Sequence, residues 1–188
     1  MPILQVIFHL HYFMAINFYN LRMYVLENYE TEENIKEAQR RESVIRHARL
    51  ALFYAKLFKL HPSQYASLVE MHLKIAECFL LSYLKSSEHD KHVMLEAALF
   101  SLINAIQDFS LRLRLNSKDK VFKRLRQISS HSDFEQDSRL ATLLNMLEMG
   151  ASAERLEQIR AEIHLESEEQ LMSQKEIDER QWAVALKK

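Results

Sequence analysis

The sequence predicts an all-α protein, an antiparallel helical bundle or stacked helical hairpins, with about four long helices and three to four shorter C-terminal ones. Three observations carry this. The 188 residues contain a single glycine, Gly150, and two prolines, Pro2 and Pro62, where average usage would supply about a dozen glycines. Turns between strands consume Gly, Asn and Asp at positive φ, so a chain this poor in Gly has few ways to build hairpins. Apolar residues also recur at three- and four-residue steps, as in Ile35, Ala38, Ile45, Ala48, Leu52 and Ala55, the spacing of one helix face. Finally, several long segments are apolar on most sides of a 3.6-residue wheel, as expected of helices enclosed by others.

The first helix is expected from Pro2, which suits a first helical turn, to about Glu27. Gln5, His9, Asn20 and Glu27 form its polar stripe, and the rest reads as buried. The segment Ile3–Leu26 is long enough to span a bilayer. It carries Gln5, His9, His11, Asn17, Asn20 and Arg22, each costly in lipid, and lacks the basic start and small-residue cleavage site of a signal peptide. It is read as a helix inside the protein, with no membrane span.

The second helix follows the acidic turn Glu30–Glu33 and runs to about Leu60, stopped by Pro62. The third spans about Gln64 to Lys85, with Ser67, Glu70, Lys74, Glu77 and Lys85 as its wet stripe. The fourth starts after Ser86-Ser87, with a box-like Ser87…Asp90 spacing, and continues to about Leu115. Shorter helices are expected at about 118–130, 133–149, 152–164 and 168–187. Ser132…Glu135 and Ser167…Gln170 have capping-box spacing, and Gly150 sits where a helix C-cap takes a residue at positive φ.

Eight of the ten Phe precede residue 110 and all seven Tyr precede residue 84. Aromatic side chains bring the largest buried areas, so residues 1–116 are read as the apolar core and 117–188 as a charged helical extension packed on or continuing from it. Charge segregates as well. Arg112 to Arg126 holds seven basic residues against Asp119, and Glu148 to Arg180 holds ten acidic residues against four basic ones. Such asymmetry in a chain of net charge −1 points to self-complementation or to two binding faces.

The composition excludes several chemistries. One glycine cannot build a phosphate-cradling Gly-rich loop or a serine nucleophile elbow. A single cysteine, Cys78, excludes an internal disulfide and an all-cysteine zinc site, and fits a reducing, cytoplasmic compartment. The near-neutral net charge supplies no argument for nucleic acid, and the basic stretch carries one aromatic, Phe122, so no nucleic-acid partner is expected. His89, His92 and Glu96 share a helix face at i, i+3 and i+7, a spacing that suits a metal, though polar residues in the first turns of a helix are also what solvent exposure produces. His89-Asp90 resembles the dipeptide of the HD phosphohydrolases, all-helical metal enzymes. With His47, His92 and Asp133 or Asp137, the resemblance would imply a metal-dependent hydrolase. The flanks depart from that family, with Ser86-Ser87-Glu88 before the pair and Lys91-His92 after it. His72 and Cys78 lie among apolar residues, where a hydrogen-bonded core histidine and a small hydrophobe are the ordinary roles.

What remains is a non-enzymatic helical adaptor or assembly subunit, without cofactor or metal, that binds other proteins through helical or acidic segments as an oligomer or hetero-complex. A bacterial secretion-system adaptor or chaperone is one form of it, suggested by the Glu-rich stretch Glu166–Glu179. A secreted effector and the HD-like hydrolase are the alternatives. The candidate partner-binding residues are Arg112, Arg114, Lys123 and Arg124 in the basic stretch, and Leu171, Trp182 and Leu186 near the C-terminus. Trp182 is the only tryptophan, a residue type enriched at binding hot spots and equally suited to anchoring the tail on its own core.

Overall fold

The computed structural model describes residues 2–28, 34–60, 64–108, 120–163 and 171–187. Among them there are eight α-helices and no strand, so the chain is all-α. The helices are α1 (Pro2–Asn28), α2 (Asn34–Ala55), α3 (Tyr65–Lys85), α4 (Glu88–Asp108), α5 (Lys120–Ser129), α6 (Ser138–Met149), α7 (Ala153–Ala161) and α8 (Gln174–Lys187). None of the described helices is long and apolar enough to cross a membrane.

The chain divides into two compact units. One comprises Met1–Pro62 with Glu169–Lys188, the other Ser63–Glu168. This grouping differs from a division at residue 116, because α8 packs on α2 while α5, α6 and α7 pack on α3 and α4.

In the first unit, α1 and α2 form a helical hairpin. Leu4, Phe8, Ala15, Tyr19 and Val25 of α1 are buried, as are Val44, Ala48, Ala51, Tyr54 and Ala55 of α2. Alanines at the crossing let the two backbones approach closely. Helix α2 ends at Ala55, short of the expected Leu60. The amides of Lys56 and Leu57 donate to the carbonyls of Phe53 and Tyr54, a tightened last turn, and the chain then brings the Phe58 ring edge-on to Phe8, 5.6 Å between centroids.

Helix α1 departs from the expectation that it is buried on most sides. One face is buried, but Ile3, Val6, Leu10, Phe13, Leu21, Tyr24 and Leu26 are exposed. A two-helix hairpin closed by one short terminal helix has no element to cover every face of a 27-residue rod.

The second unit is built around α3, in which every residue from Met71 to Leu80 is buried. The expected wet stripe on this helix is only partly wet. Lys74 and Glu77 are buried, Lys74 next to Glu70 at 3.3 Å and Glu77 under α5. Helix α4 supplies Ala97, Ala98, Leu99, Leu102, Ile103 and Ala105 to the core, and Phe122, Leu125, Leu140, Leu143, Leu144, Leu147 and Ile159 close it. The Ser132…Glu135 spacing forms a 3₁₀ turn, Ser132–Phe134, that seats Phe134 against Tyr83. Asp137 is the N-cap of α6, its side chain accepting from the Arg139 amide. Gly150 takes φ 108° after α6, as its C-cap position predicted. Residues 109–115, expected to extend α4, and the Ser167…Gln170 box lie outside the described residues.

Candidate functional site

The residues picked out by sequence fall in different places. Arg112 and Arg114 lie outside the described residues. Lys123 is exposed on α5. Arg124 Nε donates to Glu77 Oε1 at 2.6 Å, and Arg126 Nη2 donates to Glu148 Oε2 at 2.6 Å and Asn145 Oδ1 at 2.8 Å. Two cations of the basic stretch are thus engaged with carboxylates of their own unit. Arg124 also borders an open cleft of about 480 Å³ with Leu84, Gln127, Ile128, Ser130 and His131.

The His89 side chain lies outside those described, and the metal candidates that are described do not converge. Among the described residues, no group of three or more His, Cys, Asp and Glu side chains is placed to hold a metal ion. His92 is exposed and its Nδ1 lies 3.9 Å from Glu96 Oε1, but buried Glu96 accepts from Arg139 Nη2 at 3.0 Å. Asp137 pairs with the same arginine at 2.7 Å. Burial alone would raise the Asp137 carboxyl, but the hydrogen bonds and charge of Arg139 outweigh it and hold the group below its ordinary value. His72 Nε2 lies 2.8 Å from Asp108 Oδ2, the satisfied core histidine expected of that position.

The first unit holds a polar network that sequence reasoning missed. His11 on α1, His47 and Tyr54 on α2, and Glu179 on α8 meet in its interior. His11 Nε2 is 2.7 Å from Glu179 Oε1, and His11 Nδ1 is 2.9 Å from His47 Nδ1. His47 Nε2 is 3.4 Å from Arg46 Nη2, and Tyr54 Oη is 3.5 Å from Glu179 Oε1. A carboxylate and a guanidinium at the two ends set the proton positions. Glu179 can only accept, so His11 Nε2–H donates to it. Arg46 can only donate, so His47 Nε2 carries the lone pair. One proton remains between the two Nδ1 atoms, carried by His47 and donated to His11 Nδ1. All four imidazole nitrogens are then used.

This order requires His47 to be neutral. Burial is the main cause that lowers its pKa to about 4, and the neighbouring Arg46 and Lys175 cations act in the same direction. Burial next to Glu179 raises the Tyr54 hydroxyl to about 12. The rings stack as well, with His11 against Tyr54 at 5.6 Å and Phe18 against His47 at 5.6 Å. With His11 and His47 both buried, the network ties α8 to α1 and α2.

Helix α8 consequently docks with its polar side inward. Glu176 is buried 3.9 Å from Arg49, Arg49 Nη1 donates to the Leu171 carbonyl at 3.0 Å, and the Arg180 guanidinium lies over the Phe53 ring at 4.8 Å. Trp182 points the other way and is 52% exposed. Leu171 and Leu186 are half-buried. Glu179, Glu176 and Arg180 therefore secure the tail, rather than the tryptophan.

Among the described residues, an exposed apolar stripe runs along the outer face of α1. Ile3, Val6, Leu10, Phe13, Asn17, Asn20 and Tyr24 follow one another at alternating three- and four-residue steps and are all exposed. Val6 is 65% exposed, Phe13 57% and Leu10 55%, opposite the buried stripe Leu4, Phe8, His11, Ala15 and Tyr19. At roughly 200 Å² for a fully exposed large side chain, the apolar members with Leu21 present on the order of 600 Å². No family model, curated protein or solved structure matches the chain.

Proposed function

We propose that the chain is a helical adaptor or assembly subunit that works by binding protein through the outer face of α1. The observation that carries this is the continuous exposed stripe Ile3, Val6, Leu10 and Phe13. The largest apolar patch on a monomeric soluble protein is usually about 300–600 Å² and often functional, and these four side chains with Tyr24 and Leu21 reach the upper end of that range. The side chains able to do chemistry favour the same reading. His11, His47 and Glu179 are bonded to one another, His72 to Asp108, and Glu96 and Asp137 to Arg139.

A photoreactive residue in place of Leu10, in the full-length chain in its native cell, tests the proposal. The expected result is a discrete protein crosslink that Phe13→Glu abolishes. Absence of any crosslink from position 10 overturns it.

A further inference from the structure

We infer that the occupant of the α1 face is α1 of a second copy of this chain, packed parallel and in register as a two-stranded coiled coil; this rests on the binding-face reading above.

Four observations carry the assignment. The exposed residues 3, 6, 10, 13, 17, 20 and 24 repeat every 3.5 residues on average. A straight helix of 3.6 residues per turn drifts about 20° per heptad from such a seam. The seam stays in contact along its length only with another helix that supercoils with it. The stripe is also free of formal charge, because Asp, Glu, Lys and Arg are absent from Pro2 to Leu21. A partner selected by charge would find nothing to pair with. The surface that complements an uncharged apolar seam is a second one of the same kind.

Asn17 and Asn20 set the orientation. Asn17 shares the heptad position of Ile3 and Leu10, and Asn20 that of Val6 and Phe13, so a two-fold parallel pair sets each opposite its own copy, where an amide N–H of one donates to the carbonyl of the other. In an antiparallel pair with residues 3 to 24 overlapped, Asn17 faces Leu10, Asn20 faces the turn of Val6, and neither amide meets another. Asn in a coiled-coil core sets register and oligomer state at a cost in stability. The size fits as well. Two faces of on the order of 600 Å² bury about 1,200 Å² together, the lower bound of a stable interface.

The experiment uses the full-length chain. Sedimentation equilibrium from about 1 to 100 μM should show a dimer, and Phe13→Glu should weaken association by at least about 100-fold without loss of helicity, since the ring is more than half exposed within one chain. Leu10→Cys should form a covalent dimer on mild oxidation, as residue 10 meets its own copy, whereas Gln39→Cys, exposed on α2, should not. The cysteine result decides alone if Phe13→Glu misfolds. A wild-type monomer throughout the range, or a dimer insensitive to Phe13→Glu without a residue 10 disulfide, overturns the inference. If position 10 crosslinks only to a different protein, the self-association is wrong and the binding-face reading stands. If it crosslinks to nothing, both fall.

Discussion

Acidification should loosen the first unit through His47, and the magnitude follows from its surroundings. In the unfolded chain this imidazole titrates at 6.5, and in the folded protein burial and neighbouring charges lower it to about 4. Above about pH 6.5 both states hold it neutral and it contributes no pH dependence. Between 6.5 and 4 the unfolded chain takes up a proton that the folded network refuses, because Arg46 faces Nε2 and the only shared proton already lies between the two Nδ1 atoms. Stability is therefore fully present above pH 6.5 and is lost as pH falls toward 4. At about 1.4 kcal/mol per pH unit, the gap amounts to roughly 3 kcal/mol. His47→Gln is the matched variant, since its amide can still donate to His11 but cannot titrate. Urea unfolding followed by the emission of Trp182, which belongs to this unit, should show wild-type stability falling by about 3 kcal/mol between pH 7 and 4 beyond any fall in the variant. Equal losses in the two proteins would refute the proton order assigned to the network.

Other perturbations follow from the same structure. Arg124→Ala removes the 2.6 Å partner of fully buried Glu77. It should cost the second unit about 2–4 kcal/mol in urea unfolding, with the double variant Arg124→Ala, Glu77→Gln recovering part of the loss. Gly150→Ala should cost about 1–2 kcal/mol. Nothing lies within 4 Å of an added Cβ at its φ of 108°, so the penalty is one of backbone conformation. A neutral result would mean that the residue leaves positive φ at little cost. Leu102→Ala, at a side chain with no exposure, should lower stability by about 2–5 kcal/mol, measured by the shift in the urea midpoint.

Much of the fold was legible because local signals agreed. Pro2, the Ser86-Ser87 break and Gly150 punctuate the helices where the structure does. The misplaced polar residues share one cause. Charged residues are assigned to solvent unless a partner is visible, and no partner is visible within one helix. Glu77 is buried because Arg124 approaches from another helix 47 residues later. His11 lies on the same stripe as Leu4, Phe8 and Ala15, which hinted at burial, but its acceptor Glu179 is 168 residues away. Trp182 drew attention as bulk, while the helix docks through the polar residues beside it.

The fold class, the helix positions and the exclusion of Gly-rich phosphate sites follow from the sequence alone, since each depends on residue type and short-range spacing. Which face of α1 is covered does not. Ile, Leu and Phe occur all around that helix, so its hydrophobicity has no preferred side and says only that the helix is apolar. Tertiary packing makes the choice. The stripe carrying His11 goes inward, where α2 and α8 supply hydrogen-bond partners, and Ile3, Val6, Leu10 and Phe13 are left outside with nothing in their own unit to cover them.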